Sequence, residues 1–229
     1  MIMQNIDTKT FLPYMDSWYE TYEFCSEPYA KLGKLRDNIL TNIVEEATQQ
    51  SFFYLPKLPD LDYSGCGLYT QHGDSKSWTM KSDIKGLGHE KYVYGGYVKS
   101  VQNIDKKSCN LNAPETYKLL DSIINLKRAH FARLGNQDIH VHADNPYQEG
   151  IRIIINITEG DNTIYNCYGE EFKIKPGEIF WVNTGLPHSL YNYRTVPRIN
   201  LLIDVEFKEN LHNELDAIVS NLNSLNYLI

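Results

Sequence analysis

A mainly β fold, a jelly roll of two facing sheets, is what the second half of this chain predicts, and three observations carry the expectation. From residue 127 onward the texture becomes eight short segments of strand-like composition, at 127–134, 138–143, 151–158, 162–168, 171–174, 178–182, 188–193 and 198–206. Turn residues separate them, among them Glu159-Gly160-Asp161-Asn162 and Pro176-Gly177. Helical patterns lie to either side. Eight short strands with turns at this spacing fit a double-stranded β-helix with a mouth where ligands enter. No fixed-period repeat, low-complexity run or linker breaks the chain. A single domain over 1–229 is therefore expected: a supporting region 1–126, a jelly-roll core 127–206 and a C-terminal helix 207–229.

Residues 1–26 are rich in aromatics and read as an irregular arm packed on the body. Residues 27–50 read as a helix, with Ser26 as its cap, Glu27-Pro28 in its first turn and Ile39, Ile43 and Val44 as its apolar stripe. Pro56, Pro59 and Gly65 make 51–66 a loop, and 66–70 and 78–80 read as strands around a turn at 71–75 that carries His72. The glycines between 81 and 112 predict a loop-rich span beside the mouth; without a strand–GxGxxG–helix context they do not make a phosphate site. A helix follows Pro114 over 114–125, with Tyr117, Leu119, Leu120, Ile123 and Ile124 apolar. The last element is an amphipathic helix at 208–225, with Leu211, Leu215, Ile218, Val219 and Leu222 on one stripe. That stripe is expected to pack on the barrel, with a homodimer contact as its alternative.

At 229 residues and 42% hydrophobic content the chain can bury a sizeable core. A formal net charge of −7 argues against nucleic acid or an anionic membrane as the main partner. The first residues, Met1 to Asn5, lack a basic stretch followed by an apolar run, so no secretory leader is expected. No apolar stretch approaches the ~20 residues of a membrane span. Cys25, Cys66, Cys109 and Cys167 lie far apart without CxxC spacing and read as reduced thiols in a cytoplasmic protein.

The chemistry concentrates between His140 and Arg198. In His140-Val141-His142-Ala143-Asp144, an extended chain turns His142 and Asp144 to one side. With the distant His188 they form a 2-His-1-carboxylate set, which holds Fe(II) on one side and leaves cis positions open for a 2-oxo acid and dioxygen. Ten residues after His188 stands Arg198, a guanidinium fork suited to a buried carboxylate such as the far end of 2-oxoglutarate.

These residues resemble the 2-oxoglutarate- and Fe(II)-dependent oxygenases, and within them the aspartyl/asparaginyl β-hydroxylase and proline hydroxylase branch. The matching text is Ala132-Arg133-Leu134, His142-x-Asp144, Arg152-Ile153-Ile154-Ile155-Asn156-Ile157, Lys175-Pro176-Gly177-Glu178-Ile179-Phe180, His188 and Pro197 through Val205, roughly residues 127–206. Mammalian-type aspartyl β-hydroxylases lack the metal carboxylate; Asp144 makes this chain more similar to the proline hydroxylases. The family's Arg-x-His appears here as Arg152-Ile153-Ile154, with isoleucine in place of the histidine. The resemblance implies an Fe(II)- and 2-oxoglutarate-dependent dioxygenase that hydroxylates an amino acid or a peptidyl side chain. It places Fe(II) on His142, Asp144 and His188, and the co-substrate on Arg198. Arg152 would grip a substrate carboxylate, its bland alternative being an ion pair with Glu149 or Glu170. Arg133 would line the same cavity. Asn156 shares the face of Arg152 and would supply a polar contact to 2-oxoglutarate. Trp181 and Tyr191 read first as packing residues and second as cleft walls.

Two rivals stand beside this reading. His140 shares the face of His142 if the strand is regular, so His140, His142 and His188 could make a three-histidine site. That set, with Gly177-Glu178-x4-Asn183-x-Gly185-x2-His188, resembles the cupins, which share the barrel and run other chemistry. Arg198 separates the two, because a cupin needs no carboxylate anchor there. A non-catalytic jelly-roll binding protein is the remaining alternative.

Overall fold

The computed structural model describes residues 25–54, 62–70, 73, 75–76, 106–107, 111–136, 138–142, 151–158, 163–193, 197–206 and 210–229. In chain order the elements are β1 (Tyr29–Lys34), α1 (Asp37–Thr48), β2 (Phe53–Tyr54), β3 (Tyr63–Thr70), β4 (Lys106–Lys107), α2 (Pro114–Asp121), β5 (Leu126–Leu134), β6 (Asp138–His142), β7 (Ile151–Asn156), β8 (Thr163–Cys167), β9 (Glu170–Phe172), β10 (Glu178–Val182), β11 (His188–Asn192), β12 (Arg198–Val205) and α3 (Leu211–Ser224). One sheet runs β1-β10-β7-β12-β5-β3-β2, with β4 on β3; the second runs β6-β11-β8-β9. Every pairing is antiparallel. This is the expected jelly roll, mainly β with helices on its flank.

Side-chain alternation divides the large sheet into two faces with separate cores. Outward go Phe131, Ile153, Ile155, Leu201, Ile203 and Val205, which pack against Ile43 and Ala47 of α1, Leu119 and Leu120 of α2, and Leu211, Leu215, Ile218 and Leu222 of α3. Inward, toward the small sheet, go Ala132, Ile154, Phe180, Val182 and Leu202, which meet Tyr165, Cys167 and Phe172. The Phe172 ring stacks on Tyr29 at 3.8 Å and on Tyr165 at 5.3 Å between centroids. Trp181 is fully buried in the outward core, so packing is its role.

The helices are capped from outside as well as within. The Glu46 carboxylate of α1 accepts from the backbone N–H groups of Glu115 and Thr116 at 2.7 and 2.8 Å, satisfying the first turn of α2. Asn210 caps α3, its side chain accepting from the N–H of Asn213. No helix among the described residues is long and apolar enough to cross a membrane.

Three boundaries differ from expectation. Residues 29–34 are a strand, and the helix expected from 27 starts at Asp37, with Arg36 before it and no side-chain cap. The reason is non-local: β1 covers the free edge of β10, Tyr29 opposite Val182 and Lys34 opposite Glu178, with a register shift between Lys31 and Gly33. Lys31 fastens the pair, its Nζ 2.6 Å from Glu178 Oε1. The strand expected from 66 begins at Tyr63, because β5 pairs with it over that length. The second helix stops at Asp121, and Asn125 adopts a left-handed φ of 57° before β5 begins. The arm at 1–24, the strand at 78–80, His72 and most of the loop-rich span lie outside the described residues.

Candidate active site

The site grows from the inward face of four neighbouring strands. Register fixes rows of side chains across β5, β12, β7 and β10. One row is Arg128, Asp204, Arg152 and Val182. The next is His130, Leu202, Ile154 and Phe180. Then come Ala132, Asn200 and Asn156, and last Leu134 with Arg198. Two polar ends thus enclose an apolar middle. A small cavity of about 100 Å³ runs along this face. Arg152, Ile154, Leu202 and Asn200 line it from one side, and Ile139, Tyr165, His188 and Leu190 from the other.

Arg198 defines the first polar end. It is fully buried, although it opens β12. Its Nε donates to Asn200 Oδ1 at 2.9 Å, and its Cζ lies 4.9 Å from the centre of the Tyr165 ring. Asn200 Nδ2 in turn donates to the Tyr165 hydroxyl at 3.1 Å. The guanidinium is held by its inner edge and by its face. Its outer nitrogens, Nη1 and Nη2, are buried and have no hydrogen-bond partner among the described residues. Burial pulls the Arg198 guanidinium below its ordinary pKa, Tyr165 opposing the shift. A buried fork with its two-pronged end unmatched has the shape of a carboxylate receptor.

The second polar end is already paired. Asp204 is buried and accepts from Arg152 twice, from Nε at 2.8 Å and from Nη2 at 3.2 Å. Burial pushes its carboxyl up, but Arg152 and then Arg128 outweigh burial and hold it below the usual range. Beside this row His130 is wholly enclosed; burial, with Arg128 and Arg152 adding to it, drives the imidazole down to about 3 and keeps it neutral.

His188 opens β11 at the cavity wall, half-buried. Its Nδ1 lies 3.0 Å from the Leu186 carbonyl oxygen. A carbonyl only accepts, so Nδ1 is the donor in this contact, and in the neutral tautomer with its proton there the lone pair lies on Nε2. Across the strands, His188 stands in register with His142 on β6 and with Cys167 on β8. Cys167 and His188, opposed in this way, share a face of the sheet. Burial pushes the Cys167 thiol up to about 12, so it stays a neutral wall residue.

The expected site residues thus fare differently. His188 and Arg152 line the cavity, Arg198 lies directly behind Asn200 and Tyr165, and His142 is placed by backbone register. Asp144 and the loop 145–150 lie outside the described residues. Arg152 has Asp204 as its buried partner, not Glu170. Arg133 corrects an expectation: it alternates with Ala132 and Leu134, which line the cavity, and so sits on the other face of β5 with Phe131. Asn156 is buried on the inward face, but its Nδ2 donates to the Ile174 carbonyl at 2.8 Å; the amide that touches Arg198 is Asn200. Tyr191 points away from Leu190 and stacks on Tyr193 outside the cavity. The regular strand assumed for His140 is not present. Ile139 pairs with Leu190 while His142 pairs with His188, so a bulge shifts the register between them. Sequence reasoning missed Asn200, Asp204 and Tyr165. The signal for two of them is the period-two pattern Arg198-x-Asn200-x-Leu202-x-Asp204, polar groups on a strand too apolar to be exposed.

Comparison with known proteins gives the family and the fold. The family model for aspartyl/asparaginyl beta-hydroxylase matches residues 86–207, more than half of the chain. A solved structure of an oxidoreductase of the 2OG-Fe(II) oxygenase family from Burkholderia pseudomallei superposes with a TM-score of 0.50 over 85% of this chain and 90% of that one, at 11% identity, a likeness of fold. A predicted oxalate decarboxylase from Thermotoga maritima aligns at 14% identity and a TM-score of 0.30, over 42% of this chain and 75% of that one. No curated protein matches in sequence. The fold is a jelly roll. The chain belongs to the aspartyl/asparaginyl β-hydroxylase family and is an enzyme of the hydroxylating oxygenase class.

Proposed function

We propose that this enzyme is an Fe(II)- and 2-oxoglutarate-dependent dioxygenase that hydroxylates an amino acid or a peptidyl side chain bearing a carboxylate. The observation that carries the reading is Arg198, buried with Nη1 and Nη2 unmatched among the described residues. The distal carboxylate of 2-oxoglutarate supplies two acceptor oxygens for that fork. Asn200 holds the guanidinium in plane and Tyr165 covers its face, so the anchor is set before the ligand arrives. His142, Asp144 and His188 would hold the metal. The donor set suits it: the Leu186 carbonyl orients the His188 ring so that Nε2 can ligate.

Bound Fe(II), with the 2-oxo acid and dioxygen, supplies the oxidising power that places a hydroxyl on an unactivated carbon. The residues of this chain bind, orient and keep water out. Ile154, Leu202, Ala132 and Leu190 give the middle of the cavity an apolar wall that excludes water from the reacting carbon. Arg152 stands at the far end of that wall, where a substrate carboxylate would dock. Two guanidinium groups separated by an apolar stretch suit two different acids, the co-substrate at one end and the substrate at the other. Among the described residues Cys25, Cys66 and Cys167 form no disulfide, which fits a cytoplasmic setting.

The test is turnover under labelled dioxygen. The purified protein with Fe(II), ascorbate and 2-oxoglutarate is offered free amino acids and Asp-, Asn- or Pro-containing peptides. Succinate formation matched by one labelled oxygen in the product supports the proposal. Product formation that does not depend on 2-oxoglutarate contradicts it.

A further inference from the structure

We infer that Tyr165 is a second binding residue for the co-substrate: its hydroxyl donates to the same distal carboxylate that Arg198 receives, and Asn200 is the positioning residue that leaves the hydroxyl proton free to do so. The inference rests on the 2-oxoglutarate reading of Arg198 and adds a donor from the facing sheet. Tyr165 belongs to none of the motifs that carry the family resemblance.

Hydrogen-bond polarity fixes the hydroxyl. A guanidinium only donates, so the Asn200 atom that meets Arg198 Nε at 2.9 Å is the amide oxygen. The other end of that amide, Nδ2, therefore faces Tyr165 and donates to its hydroxyl oxygen at 3.1 Å. The hydroxyl keeps its own proton to give, and none of the described residues accepts it. Burial raises the Tyr165 pKa, against the opposing pull of Arg198 and of the Asn200 bond, so the phenol stays protonated. Tyr165 is itself buried, on the wall of the cavity, where a donor without an acceptor is costly. The other unmatched donors are Arg198 Nη1 and Nη2, buried beside the same ring, whose centre lies 4.9 Å from Cζ. Three donor groups tied to one amide and one ring suit a ligand group that has acceptor oxygens and no proton, which describes a carboxylate. Two neighbouring residues do not supply such a donor. Asn156 gives its Nδ2 to the Ile174 carbonyl, and its remaining atom is an acceptor oxygen. Ile154, at the place of the histidine in the family's Arg-x-His, is apolar.

The experiment uses the full chain loaded with Mn(II) and reads dissociation constants by calorimetry. The two probes are 2-oxoglutarate and oxalate, which chelates a metal but is too short to carry a distal carboxylate. Tyr165→Phe keeps the ring and removes only the hydroxyl. It should raise the constant for 2-oxoglutarate about tenfold or more and leave that for oxalate within about twofold. An unchanged constant for 2-oxoglutarate, or an equal rise for both acids, overturns the inference. Asn200→Asp reverses the polarity, because a carboxylate there accepts the hydroxyl proton itself. Adding Tyr165→Phe to Asn200→Asp should then weaken 2-oxoglutarate by less than about threefold more. A further loss of about tenfold overturns the positioning role of Asn200. Should Tyr165→Phe fail to fold, the wild type decides, with Zn(II) as a diamagnetic metal and ¹³Cζ-tyrosine labelling. One of the seventeen tyrosine resonances should move with 2-oxoglutarate and stay in place with oxalate; no such resonance overturns the inference. A wild type that binds oxalate but not 2-oxoglutarate overturns the co-substrate reading itself, and the hydroxyl contact with it.

Discussion

Replacing Arg198 by methionine separates a ligand anchor from a structural arginine. A buried arginine held by a protein carboxylate is expensive to truncate, about 3–5 kcal/mol, because its partner is left charged and alone. Arg198 has a different environment. Its Nη1 and Nη2 are buried without partners among the described residues, and each such group costs roughly 1–3 kcal/mol in the ligand-free protein. Methionine removes both penalties. It also forfeits the bond from Nε to Asn200 and the contact with the Tyr165 ring, roughly 1–3 and about 2 kcal/mol respectively. The opposing contributions nearly cancel. Arg198→Met is therefore expected to leave the metal-free protein within about 1 kcal/mol of wild type in urea denaturation. The difference should emerge with ligand. Mn(II) and 2-oxoglutarate at about a hundred times its dissociation constant should stabilise the wild type by about 2.7 kcal/mol and the variant by far less. A loss of 3 kcal/mol or more in the ligand-free variant would refute the reasoning, for it would mean that Arg198 holds the fold.

Two further outcomes test the packing account. His130 is neutral in the fold, its pKa moved from 6.5 to about 3 by burial, whereas the unfolded chain takes up a proton near 6.5. Between those limits the unfolded state binds more protons, so stability falls as pH drops from about 6.5 toward 3, at up to about 1.4 kcal/mol per pH unit for this one group. His130→Asn should flatten that slope in denaturation series at fixed pH, and an unchanged slope would contradict the burial. Glu46→Ala removes the acceptor of two backbone donors at the start of α2 and should lower stability by about 1–2 kcal/mol; a neutral effect in thermal unfolding would mean that water caps α2 as well.

The legibility of the fold follows the range of the interactions that set it. All eight strands between 126 and 205 were readable, because alternation and turn residues are local signals. β1 was not. Ser26-Glu27-Pro28 looks like a helix start, and only the unpaired edge of β10, some 150 residues on, makes 29–34 a strand. The same limit applies to the site. Arg198 was legible from its place ten residues after His188. The partner of Arg152 did not, since Asp204 is its neighbour only through the register of β7 and β12. Arg133 shows a second limit. A resemblance assigns a residue type to a cavity, but strand parity decides the face, and parity could be fixed only once Ala132 and Leu134 were seen to point inward. The bulge in β6 is of the same kind: it changes the phase between Ile139 and His142 and leaves no mark in composition.

The most direct measurement is an anaerobic titration of the metal-free protein with Fe(II) and then 2-oxoglutarate, followed in the visible spectrum. Chelation of Fe(II) by a 2-oxo acid gives a weak charge-transfer band. The account predicts that band in the wild type, its loss in His188→Ala, and in Arg198→Met a band that needs at least about tenfold more 2-oxoglutarate to reach half its height. Iron binding without any band, or a band indifferent to Arg198, would contradict it.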